Sequence, residues 1–137
     1  MGLILDSSVI IASERKRESP PDLMRRIYAI AGNQELALSA IGYTELVHGI
    51  YRADSPTRAS MRRAFLADLA AELPIYAYTD TVAEIAGRID GEQTAKGNSI
   101  PFPDLLIGAT ALSLSFSVLT ANERHFLLVP GFDVIAF

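Results

Sequence analysis

The chain has 137 residues, half of them hydrophobic and a fifth charged, with a formal net charge of −4. That length and balance specify a single globular domain, residues 1–137, able to bury a core of its own. The absence of cysteine excludes disulfides, thiolate metal sites and cysteine nucleophiles, and a pI of about 5.1 excludes a whole-protein basic footprint for nucleic acid.

In chain order, GLILD (2–6) reads as a short buried strand ending in a polar residue. It carries no basic leader or cleavage motif, so no signal peptide is expected. SSVII follows, then the cations Arg15, Lys16 and Arg17, which cluster with Arg25 and Arg26. PDLMRRIYAIAG puts Leu23, Ile27 and Ile30 on one helical face, with Gly32 as a C-terminal stop. LALSA (36–40) reads as a second strand. AIGYTELVHGIYRA then spaces Tyr43, Leu46, Val47, Ile50 and Tyr51 as a helix. After a turn at DSP, TRASMRRAFLADLAAEL does the same with Met61, Phe65, Leu66 and Leu69, alongside a second basic group of Arg52, Arg58, Arg62 and Arg63. PIYAY (74–78) reads as a strand, and DTVAEIAGRIDGEQTAKG as a helix on Val82, Ile85 and Ile89 that ends at Gly97. The apolar run 105–119 has almost no polar face and must be buried, yet it is too short for a membrane span, which needs roughly 20 residues. SVLTA (117–121) and FDVIAF (132–137) close the chain as strands. Strands alternating with helices predict an α/β sandwich around a parallel sheet, and residues 40–72 form an αα-hairpin inserted in that rhythm.

In open parallel sheets, ligands bind beyond the carboxyl ends of the strands. Asp6 follows the first strand, Glu45 lies in the helix after the second, Asp104 opens the helix before SVLT, and Thr120 and Asn122 follow that strand. Singly, each has a plain structural role. Asp6 or Ser7 suits a helix N-cap, Glu45 a solvent-facing charge, Asp104 the first turn of a helix after Pro103, and Thr120 with Glu123 a capping box. His48 and His125 suit a helix surface or a packed site better than a ligand role. Together, the carboxylates at one sheet edge are hard-ligand chemistry fitted to Mg²⁺ or Mn²⁺, which would relieve their mutual repulsion. A haloacid-dehalogenase phosphatase needs a second Asp two residues after the first, where this chain has Ser8. A receiver domain needs an acidic pair and a late lysine, and a P-loop needs its glycine-rich signature; none of these is present.

LILDSSVIIA, ALSAIGYTELVHG, GNSIPFPDLLIGATAL and VLTANERHFLLVPGFDVI resemble, in order and spacing, the PIN-domain ribonucleases, in particular the VapC toxins of toxin–antitoxin pairs. The resemblance covers nearly the whole chain. It implies a three-layer α/β/α sandwich on about five parallel strands and Mg²⁺- or Mn²⁺-dependent cleavage of RNA in the cytoplasm. Asp6, Glu45 and Asp104 match the core acids, as catalytic residues and metal ligands. Thr120 and Asn122 match supporting positions, and Ser7 is a candidate donor beside them. The fourth acid of many relatives stands at the position of Asn122 or of His125, and neither is acidic here, which bears on a second metal. The resemblance further implies a homodimer and a small antitoxin whose helix lies on Tyr43, Val47, Tyr51, Phe65 and Leu69, while Arg15, Lys16 and Arg17 are candidate RNA contacts. The competing readings are a PIN-like module that binds RNA or protein without cleaving, and a PIN nuclease outside any toxin–antitoxin pair.

Overall fold

Leu3 and Leu5 of the first strand join one hydrophobic cluster, while Ile4 between them joins another. That alternation is what a strand buried on both faces requires. In the computed structural model, which describes all 137 residues, the chain runs β1 (Gly2–Leu5), α1 (Ser7–Arg15), α2 (Pro20–Ala31), β2 (Glu35–Ser39), α3 (Ala40–Tyr51), α4 (Pro56–Glu72), β3 (Ile75–Tyr76), α5 (Asp80–Ala95), α6 (Phe102–Leu114), β4 (Ser117–Thr120), a 3₁₀ turn (Phe126–Leu128) and β5 (Val134–Ala136). The five strands form one sheet in the order β3-β2-β1-β4-β5, and every pairing is parallel.

The larger cluster packs Leu3, Leu5, Leu36, Leu38 and Leu119 of the sheet against α1 to α4. On the opposite face, Ile4, Ala37 and Val118 meet Ile107 and Ala111 of α6, which α5 backs in turn through Val82, Ala86 and Ile89. Residues Leu105 to Ala111 of α6 are all buried, because the helix lies between the sheet and α5. Each fully buried Leu or Ile contributes roughly 1.5–3 kcal/mol, so this sandwich holds α6, and the Asp104 in its first turn, as a rigid mount. Gly108 permits a close approach there: a Cβ would come within 3.3 Å of Val129.

The strand order decides where a site can form. From β1 the chain builds outward through β2 and β3, then returns to place β4 on the other side of β1. The reversal leaves a crevice between the carboxyl ends of β1 and β4, the usual binding position in open α/β sheets. Leu5 pairs with Leu119 there, and the Asp6 amide donates to the Leu119 carbonyl at 2.9 Å.

Helix ends sharpen the picture. Ser19, Ser39, Ser55 and Thr79 cap α2, α3, α4 and α5 by accepting a backbone N–H. The N-cap positions of α1 and α6 are Asp6 and Pro101, and neither side chain caps. The helices that carry Asp6 at their N-cap and Asp104 in their first turn therefore leave their positive dipole ends without a side-chain cap, whereas α3, which carries Glu45, is capped by Ser39.

Three sequence expectations are corrected. Ile30 and Met61 lie on the outer sides of α2 and α4, 44% and 61% exposed, because the apolar stripe of each helix is narrower than its periodicity implied. Leu69 is fully buried in the larger core cluster, so it belongs to the core rather than to a partner surface. Thr120 and Glu123 form no capping box: Thr120 ends β4, its hydroxyl turns to Asp6, and the segment beyond makes turns and a 3₁₀ helix instead.

Candidate active site

Asp6 leaves the end of β1 nearly buried, and two hydroxyls hold it. Ser8 Oγ donates to Asp6 Oδ2 at 2.6 Å, and Thr120 Oγ1 donates to the same oxygen at 2.9 Å. Each hydroxyl has one hydrogen, so the 3.2 Å approach between Ser8 Oγ and Thr120 Oγ1 is a consequence of sharing Asp6, not a further bond. Both hydroxyls accept backbone donors in return, Ala121 N–H on Ser8 at 3.0 Å and Asn122 N–H on Thr120 at 3.0 Å. The exit from β4 is thus stitched to the start of α1.

Glu45 arrives from the second turn of α3, half-buried, with Ser7 Oγ donating to its Oε1 at 2.9 Å. Asp104 arrives from the first turn of α6, and His125 Nδ1 lies 2.9 Å from its Oδ2. One oxygen of each carboxylate is therefore committed to a protein donor. Asp6 Oδ1, Glu45 Oε2 and Asp104 Oδ1 receive none, and no Lys or Arg pairs with any of the three acids. Those oxygens reach solvent, since the one buried side-chain polar atom without a partner is Ser13 Oγ.

The acids feel one another. Burial pushes the Glu45 carboxyl above its ordinary range; the Ser7 hydrogen bond opposes that, and the charges of Asp6 and Asp104 add to it. Burial likewise raises Asp104, against the His125 hydrogen bond and with help from Asp6. Carboxylates crowded without a compensating cation are a strained electrostatic arrangement, and a divalent cation is the simplest complement. No trio of Asp, Glu or His side chains closes directly around one point. The donor set fits an ion such as Mg²⁺, which takes one or two carboxylates and retains several waters.

The structure brings Asp6, Glu45, Asp104 and Thr120 together at the edge of the sheet where their order in the chain placed them, with Ser7 bonded to Glu45 beside them. Asn122 contributes its backbone amide, while its side chain is exposed and makes no hydrogen bond to the cluster. Two members escaped the sequence reading. In the sequence Ser8 only breaks a phosphatase pattern; a hydroxyl two residues beyond an Asp at a strand end is its signal. His125 was expected to be a packed or surface residue; its place just after the β4 edge, where the other ligands gather, was the available clue. His48 lies on the exposed side of α3, as expected.

The basic groups resolve unevenly. Arg26 is tied to Glu18 at 2.6 Å and lies over the Phe137 ring, Arg62 bonds Glu14 and the Gly49 carbonyl, and Arg25 and Arg58 pair with neighbouring aspartates. Arg15, Lys16 and Arg17 are exposed at the end of α1 and make no ion pair.

An all-parallel five-stranded sheet flanked by helices, with acids at its switch point, defines an α/β/α domain with an acidic site. The PIN domain family profile matches residues 3–131, and the chain belongs to that family. It is 27% identical over 135 residues to a Ribonuclease VapC of Rickettsia bellii, covering 98% of this chain and 96% of that protein. It is 29% identical to Ribonuclease VapC1 of Rickettsia felis with the same coverage. Among solved structures, VapBC2 from Rickettsia felis bound to a promoter DNA fragment superposes with a TM-score of 0.85 at 21% identity, over 100% of this chain and 99% of that one. DNA-bound VapBC from Salmonella typhimurium gives 0.82 at 23% identity, over 99% and 98%. At those identities the structural likeness establishes the fold. No helix is long and apolar enough to cross a membrane.

Proposed function

We propose that this chain is a divalent-metal-dependent endoribonuclease and the toxin of a VapBC-type toxin–antitoxin pair. The observation that carries the reading is the half-committed state of its acids: Asp6, Glu45 and Asp104 each give one oxygen to a protein donor and leave the other open at the switch point of the sheet. The names of the curated relatives, ribonucleases both, support the reaction class.

Asp6, Asp104 and Glu45 would hold Mg²⁺ or Mn²⁺ through those open oxygens, directly or through water. Such an ion, when bound, neutralises charge on a phosphodiester and acidifies water beside it. The chain's own residues supply the rest. Ser8 and Thr120 fix the orientation of Asp6, and Ser7 fixes that of Glu45, so the open oxygens are preorganised. Glu45 Oε2, on a carboxyl raised above its ordinary range, is suited to orient the attacking water and accept its proton. The water oxygen attacks phosphorus in line while the bond to the departing ribose oxygen breaks. The amides at the uncapped starts of α1 and α6 favour an anion at the crevice. The unpaired cations Arg15, Lys16 and Arg17 offset the negative total charge as the RNA approaches.

The partner surface is the α3–α4 hairpin. Tyr51 is 78% exposed, and Tyr43, Val47 and Phe65 are half-buried beside it, a face suited to an amphipathic antitoxin helix or to a second copy in a homodimer. The chains of VapBC complexes that share this fold support the first. RNA as substrate implies the cytoplasm.

The test is incubation of the purified chain with a broad RNA pool in Mg²⁺, in Mn²⁺ and in EDTA, with and without the product of any short reading frame beside its gene. Cleavage that requires metal and stops on adding that product is expected. Metal-independent cleavage, or folded protein that cleaves nothing, would remove the proposal.

A further inference from the structure

We infer that His125 is the positioning residue of Asp104: its Nδ1–H donates to Oδ2, sets the plane of the carboxylate, and leaves Oδ1 as the oxygen offered to a cation. The inference rests on the metal-site reading above and deepens it.

Asp6 and Glu45 are oriented by hydroxyls, but no Ser or Thr reaches Asp104, and the 2.9 Å contact to His125 is its one side-chain hydrogen bond. An ionised carboxylate can only accept, so the proton of the pair sits on Nδ1. Packing, rather than surface chance, sets the distance. Phe126, next to His125, is 1% exposed and packs with Ile107 and Ala111 of α6, the helix that carries Asp104. Val129 anchors the far end of the same segment against α6, in one cluster with Leu105, Leu106 and Ala109. Between them the Leu127 amide donates to the Glu123 carbonyl at 3.1 Å and the Leu128 amide to the His125 carbonyl at 3.2 Å. The His125 backbone is therefore locked to the same helix as its carboxylate partner, and the side chains are only 29% and 20% exposed. A carboxylate held in this way offers one oxygen in a fixed direction, and partners behind ligands commonly control affinity by 10–100-fold.

Substitutions separate the two ring nitrogens. An Asn at 125 places an amide nitrogen where Nδ1 stands and nothing where Nε2 stands; a Gln does the reverse. Mn²⁺ affinity of the intact protein is measured by calorimetry for wild type, Asp104→Asn, His125→Ala, His125→Asn and His125→Gln, with metal-free melting curves to verify folding. Wild type binds Mn²⁺, His125→Ala and His125→Gln weaken binding by roughly 10-fold or more, and His125→Asn stays close to wild type. Nitrogen NMR of the metal-free protein at mildly alkaline pH finds the His125 proton on Nδ1. Binding by wild type and His125→Ala with equal affinity overturns the inference, as does failure of His125→Asn alongside Ala or a proton found on Nε2 alone. A wild type that takes up no Mn²⁺ instead overturns the metal-site reading and this inference with it.

Discussion

The Thr120 hydroxyl donates to Asp6 Oδ2 at 2.9 Å across 114 residues of sequence, at the point where β4 lies beside β1. Thr120 is 1% exposed, and its oxygen also accepts the Asn122 amide. Thr120→Val keeps the shape but removes the donor from a nearly buried carboxylate and the acceptor from an amide. A loss of about 1–3 kcal/mol is expected, with reduced cleavage, whereas Thr120→Ser retains most of both. Chemical denaturation of the two variants measures the difference, and equal stabilities would show that the hydroxyl does not support Asp6.

Glu45 and Asp104 both hold their protons to higher pH in the fold than in the unfolded chain, chiefly through burial. Between the ordinary carboxylate range and the raised values the native state binds more protons, so stability falls as pH rises through that interval. The penalty is absent below it and complete above it. Asp22, lowered by its Ser19 and Arg25 partners, acts in the opposite sense, so a difference between proteins is the proper readout. In EDTA, the stability of Glu45→Gln relative to wild type should grow as pH rises through and above the ordinary carboxylate range. Divalent metal at about 100 times its Kd should return about 2.7 kcal/mol to wild type. A difference that is flat with pH would mean that burial in the fold does not raise the Glu45 carboxyl.

Leu69 and Tyr51 belong to the same hairpin and predict opposite phenotypes. Leu69 is fully buried, so Leu69→Ala should cost about 2–5 kcal/mol. Tyr51 stands 78% exposed, with Arg63 near its ring, so Tyr51→Ala should change stability by about 0.5 kcal/mol or less while weakening antitoxin capture. Melting curves and co-purification with the antitoxin separate the two roles.

Arg15, Lys16 and Arg17 are the compact group of cations left without ion pairs. If they meet RNA phosphates, replacing all three with Gln should make the slope of log affinity against log salt shallower by roughly 2 for a single strand. Binding by fluorescence anisotropy at several salt concentrations measures it, and an unchanged slope would assign the RNA path elsewhere.

The parallel sheet was legible because its short strands centre on apolar residues, as in GLIL and the Val118-Leu119 pair of SVLT, and α2 to α5 repeat at helical spacing. The acids were legible because strand ends concentrate ligands. Partner choice was not. Thr120-x-x-Glu123 has the spacing of a capping box, and only the pairing of β4 with β1 shows that the hydroxyl goes to Asp6 instead. His125 meets Asp104 because Phe126 packs on α6, a contact no local pattern encodes. Leu69 and Phe65 look alike on a helical wheel, yet only Leu69 is fully buried in the core cluster, with Phe65 partly buried against it.

The most direct test of the acidic site is RNA cleavage in Mn²⁺ by wild type beside Asp6→Asn and Asp104→Asn, each verified as folded by circular dichroism. The open oxygens of Asp6 and Asp104 are expected to be indispensable, so both variants should lose cleavage by roughly 100-fold or more with native spectra. Wild-type rates from either folded variant would contradict the account.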